Sequence, residues 1–254
     1  MTMSAPTVGV FGLTGCAGDQ LVILNAEDEL LDIVRLLDLK DFLMASSQND
    51  AGVDLDIALV EGVVASARDE AALRRIRERA GVLVAIGTCA VWGGVPALDR
   101  SRDRGELLRG TYGAAGLAFD AMPVRALHEV VKVDHAITGC PIEKHELLAA
   151  IASLLNGNAP LAVTTPVCAE CKMRENGCLL VDQSVSCLGP LTAGGCLARC
   201  PTLGIGCAGC RGPAVDANVE SALAMFEGKG IARRLIEERL ATFAPLARWN
   251  KHAS

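Results

Sequence analysis

Aromatic residues make up only 3% of this 254-residue chain, so any core must be aliphatic and alanine-rich; hydrophobic residues as a whole reach 51%. Basic patches are also missing. The formal net charge is −6, and no run of Lys and Arg exceeds a few residues. Nucleic acid is therefore not an expected partner, because binding it needs cations to replace the counterions along the phosphates. No apolar run approaches the roughly 18–20 residues that a membrane-spanning helix requires. The opening stretch MTMSAPTVGVFGL has no charged segment leading into a long apolar run and a small-residue cleavage site, so no export signal is visible and a cytoplasmic location is expected. GLTGCAG lacks the G-x-G-x-x-G spacing of a dinucleotide site, and neither a P-loop nor H-E-x-x-H occurs. The four histidines, His128, His135, His145 and His252, read as structural or surface groups.

Cysteine, by contrast, is abundant. There are eleven, and eight of them crowd into residues 168–210. An odd number without an export signal argues against a disulfide framework, and scattered buried thiols would not cluster in this way. Clustered cysteines in a reducing compartment point to metal.

Residues 1–157 alternate short apolar runs with helical patterns, which predicts a doubly wound parallel α/β sheet. TVGVFGL (7–13), FLMASS (42–47), DIALVEG (56–62), VLVAIGTCA (82–90) and DHAITGC (134–140) read as strands. Leu30, Ile33, Val34 and Leu37 fall on one helical face. ARDEAALRRIRERAG reads as a charged helix closed by Gly81, and EKHELLAAIASLLNG as one ending at Gly157. Residues 158–213 are rich in Cys, Gly and Pro with little periodicity, so this stretch needs bound inorganic groups to order it. A helical tail is expected over 216–243. The predicted organisation is thus residues 1–157 as the sheet domain and 158–254 as a loop-rich iron–sulfur domain with a C-terminal helix.

Cys16, Cys89 and Cys140 follow or end three of the predicted strands, each near a glycine: Gly15, Gly87 and Gly139. Ligand sites in open α/β sheets gather beyond the carboxyl ends of the strands, so these three cysteines should converge on one edge. Three thiolates make three quarters of a cubane site. Asp19 stands three residues after Cys16, where a C-x-x-C pair would place its second cysteine. It reads either as an oxygen ligand or as a first-turn helix acid. Glu61 ends a strand on the same edge, as a simple loop acid or as a hydrogen-bonding or proton-path group near the first cluster. Further on, Cys168, Cys171, Cys178 and Cys187 form one quartet, and Cys196, Cys200, Cys207 and Cys210 a second. Two zinc sites are one reading, since C-x-x-C pairs serve zinc. Pro201 directly after Cys200, the surrounding glycines and the unpaired strand-end trio favour iron–sulfur. Eleven cysteines and Asp19 make twelve ligands, three quartets with none left over.

The Cys16 turn followed by QL, the NAEDELL segment, VEG, AIGTCAVWGG, KVDHAITGCP and SCLGPLTAGGCLARCP…GCAGCRGP together resemble the small subunit of nickel–iron hydrogenases, specifically the delta subunit of the cytoplasmic sulfhydrogenase or NAD(P)-linked type. The resemblance runs over nearly the whole chain. It implies a flavodoxin-like N-terminal domain and a cluster-rich C-terminal one. It also implies three 4Fe–4S clusters: proximal on Cys16, Cys89 and Cys140, with Asp19 expected as the fourth ligand; medial on Cys196, Cys200, Cys207 and Cys210; distal on Cys168, Cys171, Cys178 and Cys187. Periplasmic relatives have histidine in the distal set and often lack one medial cysteine; here Cys168 and Cys200 stand at those positions. The family usually has cysteine where this chain has Asp19. The implied partners are a nickel–iron large subunit, a ferredoxin-like iron–sulfur subunit and a flavin-containing NAD(P) reductase subunit. Hydrogen chemistry would lie in the large subunit, because the nickel-binding cysteine pairs are absent here. Two other readings stand beside this one. The first is the iron–sulfur subunit of a quinone- or heterodisulfide-reductase-linked complex, although the complex I-type subunit should carry an adjacent cysteine pair and no eight-cysteine tail. The second is a structural zinc-binding assembly protein.

Overall fold

Five strands, all parallel, order as β2-β1-β3-β4-β5. They are β1 (Thr7–Gly12), β2 (Asp38–Asp41), β3 (Leu55–Glu61), β4 (Ala80–Ile86) and β5 (His135–Ile137). This is the flavodoxin-like winding, in which the connections diverge on either side of β1 and β3. The computed structural model describes residues 5–26 and 36–249. The helical face predicted on Leu30, Ile33 and Val34 lies outside the described residues.

The central strands form because their sequences are apolar on both faces. IALV in β3 and LVAI in β4 are buried throughout, the environment of a parallel sheet covered by helices on each side. One core lies under Val8, Val10, Ile57, Val84, Ile137 and Ile151. The other gathers Val60, Leu73, Leu83, Ala85 and Leu127. A separate core, Val167, Leu188, Leu191, Leu223, Phe226 and Ile236, belongs to the cysteine-rich stretch and the tail.

After α1 (Gly18–Leu24), helix α2 (Ala67–Arg79) is set by its ends: the Ser66 hydroxyl accepts from Asp69 N–H, acids fill the first turn and arginines the last. It does not run to Gly81. The chain becomes extended at Ala80 and enters β4 at once, so Gly81 is already strand, where a Cβ would stand 3.2 Å from the Asp56 carbonyl. The strand expected at FLMASS is also displaced. DLKD (38–41) pairs with β1, while Phe42 begins a turn whose N–H bonds Asn49 Oδ1 at 2.6 Å and whose carbonyl accepts from Ala45 and Ser46. An edge strand tolerates charge on its exposed side, so its sequence carries no apolar alternation. The tail is two helices, Val219–Gly228 and Arg233–Phe243, with Gly230 at φ +77° between them. The helix Lys144–Leu155 ends as expected, with Gly157 in a left-handed conformation.

Register aligns the carboxyl ends of the strands. Gly12 pairs with Glu61, Glu61 with Ile86, and Ile86 with Ile137. Cys16, Cys89 and Cys140 follow these rows by three or four residues. Cys89 sits in the short helix α3 (Gly87–Trp92), one turn beyond the strand end where the sequence placed it.

Asp134, just before β5, accepts from Leu83 N–H at 2.9 Å, from Arg77 at 2.5 Å and from Lys132 at 2.8 Å. Burial alone would raise its pKa, but Lys132, the Leu83 amide and Arg77 outweigh burial and hold the carboxyl well below the usual range. Its stabilisation is present above the unfolded value near 3.9 and fades as pH falls toward the depressed folded value. Asp134→Asn should cost about 2 kcal/mol at pH 7 in denaturant unfolding, unchanged down to about pH 5 and shrinking below it.

Candidate metal centre

The first set is assembled by the aligned strand ends. Cys16, Asp19, Cys89 and Cys140 lie within electrostatic reach of one another. Burial drives the Cys89 thiol up to about 12, and the neighbouring Cys140, Asp19 and Cys16 push it the same way. Cys140 is raised by burial, Asp19 and Cys16. Cys16 and Cys140 are exposed on this edge, while Cys89 is half-buried. Space for the set is kept by glycine: at Gly94 (φ +56°) a Cβ would lie 2.5 Å from Cys89 Sγ.

Asp19 is 7% exposed and does not cap its own helix, Gly18–Leu24, whose N-cap is Ala17. Its Oδ1 instead accepts from Ile142 N–H at 2.8 Å, tying the Cys16 turn to the loop after Cys140 across 123 residues. Its Oδ2 lies over Gly87 (φ +84°), where a Cβ would come within 1.8 Å. Burial raises its pKa to about 6, with Glu61 adding and the Ile142 amide opposing. Glu61, 2% exposed, supplies the helix-end bonds that Asp19 does not. Its Oε2 accepts from Asp19 N–H at 3.1 Å and Gln20 N–H at 3.2 Å, and its Oε1 from Gln20 Nε2 at 2.8 Å. A carboxylate at a helix N-terminus fixes the turn that presents Cys16.

In the second set, Cys196, Cys200, Cys207 and Cys210 all line one cavity of about 90 Å³, with Cys140 at its wall. Burial lifts Cys207 to about 12 and Cys210 to about 11. The third set surrounds Cys168, which burial and then Cys187, Cys171 and Cys178 raise to about 11. A Cβ at Gly189 would stand 3.3 Å from Cys168 Sγ and 3.5 Å from Cys187 Sγ. Asn176 reaches Cys171 Sγ at 3.6 Å, and Asp182 accepts from Cys178 N–H at 2.9 Å. Among the described residues, no three His, Cys, Asp or Glu gather tightly enough for a single metal ion. Buried thiols that resist ionising in one another's presence fit a multi-cation group, which favours the thiolate form of all of them together.

His128, His135 and His145 are not among the residues that line the second-set cavity or that shift the set cysteines; His252 lies outside the described residues. Three residues with no part in the sequence reading organise the sets. Glu170, 7% exposed, accepts from Gly195 N–H at 2.5 Å and Ala198 N–H at 3.1 Å and approaches Cys196 Sγ at 3.9 Å. Arg211, 4% exposed, donates to Gly194 O (2.5 Å), Thr138 O (2.6 Å) and Glu146 Oε1 (2.6 Å), joining the loops of Cys196 and Cys140 to helix Lys144–Leu155. Thr88 bonds both Gly139 and Cys210. For Glu170 and Arg211 a signal existed, a charged residue inside C-A-E-C and directly after Cys210. For Thr88 there was none.

The family described as NADH ubiquinone oxidoreductase, 20 Kd subunit, matches residues 16–154. Sulfhydrogenase 2 subunit delta of Pyrococcus furiosus is 39% identical over 244 residues, spanning 95% of this chain and 99% of that protein. A subunit of the F420-non-reducing hydrogenase of Methanocaldococcus jannaschii is 30% identical over 240 residues, spanning 84% of this chain and 83% of its own. Among solved structures, a chain of an NAD+-reducing [NiFe]-hydrogenase in the H2-reduced state superposes with TM-score 0.54 at 27% identity, covering 61% of this chain and 94% of that one.

Glu146 is held up in pKa by burial even with Arg211 beside it, and its Oε2 has no hydrogen-bond partner. Arg211→Met should lower unfolding free energy by about 3–5 kcal/mol, because it strands a buried carboxylate. A raised folded pKa means stability present at low pH is lost as pH rises through it, so the deficit should be larger at pH 8 than at pH 5.5. Adding Glu146→Gln should recover part of it; a double variant no more stable than the single one would show that Glu146 is not the stranded group.

Proposed function

We propose a role for a chain that belongs to the NADH ubiquinone oxidoreductase, 20 Kd subunit family and, within it, to the small (delta) subunits of nickel–iron hydrogenases: it holds three 4Fe–4S clusters and relays electrons between a large subunit's nickel–iron centre and a flavin and NAD(P) module. The chain is thereby part of an oxidoreductase complex. The observation that carries the relay reading is the count and placement of the donors: three rings of thiols, each partly shut from water, with the second touching both others. When bound, the clusters supply one-electron carriers.

This chain's residues hold, orient and shield them. Cys196, Cys200, Cys207 and Cys210 hold the medial cluster in their cavity, and Cys168, Cys171, Cys178 and Cys187 the distal one. Cys16, Cys89 and Cys140 hold the proximal cluster, with Asp19 as fourth ligand. Supporting that role, the carboxylate is buried among these thiols, with Oδ1 taken by Ile142 N–H and Oδ2 remaining for iron. Glu61 keeps the Cys16 turn in place. The exposed edge at Cys16 and Cys140 is the one the large subunit would cover, and exposed Cys178 marks the side toward the ferredoxin-like and flavin subunits. We assign residues 1–157 to the proximal cluster's domain and 158–254 to that of the other two. No described helix is long and apolar enough to cross a membrane, and we place the complex in the cytoplasm. A second reading keeps the relay and changes the acceptor, since the Methanocaldococcus relative belongs to an F420-non-reducing hydrogenase. A flavoprotein and NAD(P) reduction in the purified native complex distinguish the first reading from the second.

Protein purified anaerobically should carry about twelve irons with matching acid-labile sulfide. Zinc in place of iron would end the relay reading. Asp19→Cys should alter the EPR spectrum and potential of the proximal cluster alone, because oxygen and sulfur ligands distribute charge differently. An unchanged spectrum, or an anaerobic structure with the carboxylate turned away from iron, would remove Asp19 from the ligand set.

A further inference from the structure

The sets meet at two junctions of the same kind. At one, Cys207 N–H of the second set donates to Cys187 Sγ of the third at 3.2 Å. At the other, the Cys140 N–H of the first set faces the Cys210 thiol of the second, placed to favour its ionised form. In each, the amide of one set's cysteine rests on the sulfur of the next. The first junction lies within the cysteine-rich stretch, where Leu188 N–H also bonds Cys207 O at 2.9 Å. The second joins a strand-end loop to a loop 70 residues away, and something must hold the two in register.

Thr88, 1% exposed and next to Cys89, is placed to do this. Its hydroxyl donates to the Cys210 carbonyl and accepts from Gly139 N–H at 3.2 Å, while its own N–H donates to Gly139 O at 2.7 Å. The hydroxyl oxygen thus bonds the Gly139 amide and the carbonyl of Cys210, while the Thr88 N–H holds the peptide that precedes Cys140. We propose that Thr88 is the positioning residue of the first-to-second junction, clamping these two backbones so that the Cys140 amide stays on the Cys210 sulfur. The inference rests on the cluster assignment above. A hydrogen bond to a cluster sulfur favours the more negative, reduced state and raises the potential, so the clamp tunes the second cluster. With both clusters bound, an exchange between them would be balanced, one electron lost by one and gained by the other, and the clamp, built of neutral hydroxyl and peptide groups, would move no proton.

The test is made on the native complex, with iron and sulfide content measured first and each cluster's potential then followed by EPR in a redox titration. Thr88→Val keeps shape and removes the hydroxyl; Thr88→Ser keeps the hydroxyl. With iron content unchanged, Val should shift the second cluster to more negative potential and leave the third, whose junction Thr88 does not touch, at its wild-type value. Ser should restore the second cluster. Where the Val chain does not accumulate, Thr88→Ala takes its place with the same expectation. An unshifted second cluster in the hydroxyl-free variant, an equal shift in the third, a Ser variant as displaced as Val, or iron lost in Val and regained in Ser would each overturn the inference. Absence of iron from the wild type would overturn the cluster assignment instead.

Discussion

Eleven thiols and one carboxyl gather in three sets, and at Asp19, Cys89, Cys140, Cys168, Cys196, Cys207 and Cys210 burial, with neighbouring thiols or carboxylates adding to it, opposes ionisation. Such an arrangement is unfavourable for anions alone and favourable once several cations lie among them. The remaining architecture serves that condition. The parallel sheet brings three strand ends into one row, and the cysteine-rich stretch, packed with the tail around a core of its own, carries the other two sets.

The rings are joined by a small number of buried polar groups. Glu61 fixes the Cys16 turn, Asp19 ties that turn to the Cys140 loop, and Arg211 and Thr88 tie the Cys140 loop to the second ring. Each replaces water at backbone groups that a loop-rich region would otherwise leave unpaired. The same bonds hold the loops that carry the three cysteine sets against one another.

Much of this was legible in the sequence. The donor count, the two downstream quartets and the strand-end trio follow from cysteine positions, and β3 and β4 from continuous apolar runs. Other features were not. The edge strand DLKD is polar and the apolar FLMASS is a turn, because Phe42 is buried from a turn closed by Asn49 and the edge needs no alternation. Gly81 looked like a helix stop, yet the chain turns extended at Ala80 without one.

The sequence by itself set which candidate donors exist, a strand-end trio and two quartets of cysteine with Asp19 beside the first, and that no nucleotide motif competes. Tertiary structure alone decided how the donors are held. Asp19 was open between helix cap and ligand, and the fold shows that it caps an amide 123 residues away. Thr88 is a plain residue in an apolar run until its hydroxyl meets a carbonyl 122 residues on. Contacts at that range are set by the register of parallel strands, and neither spacing nor periodicity encodes them.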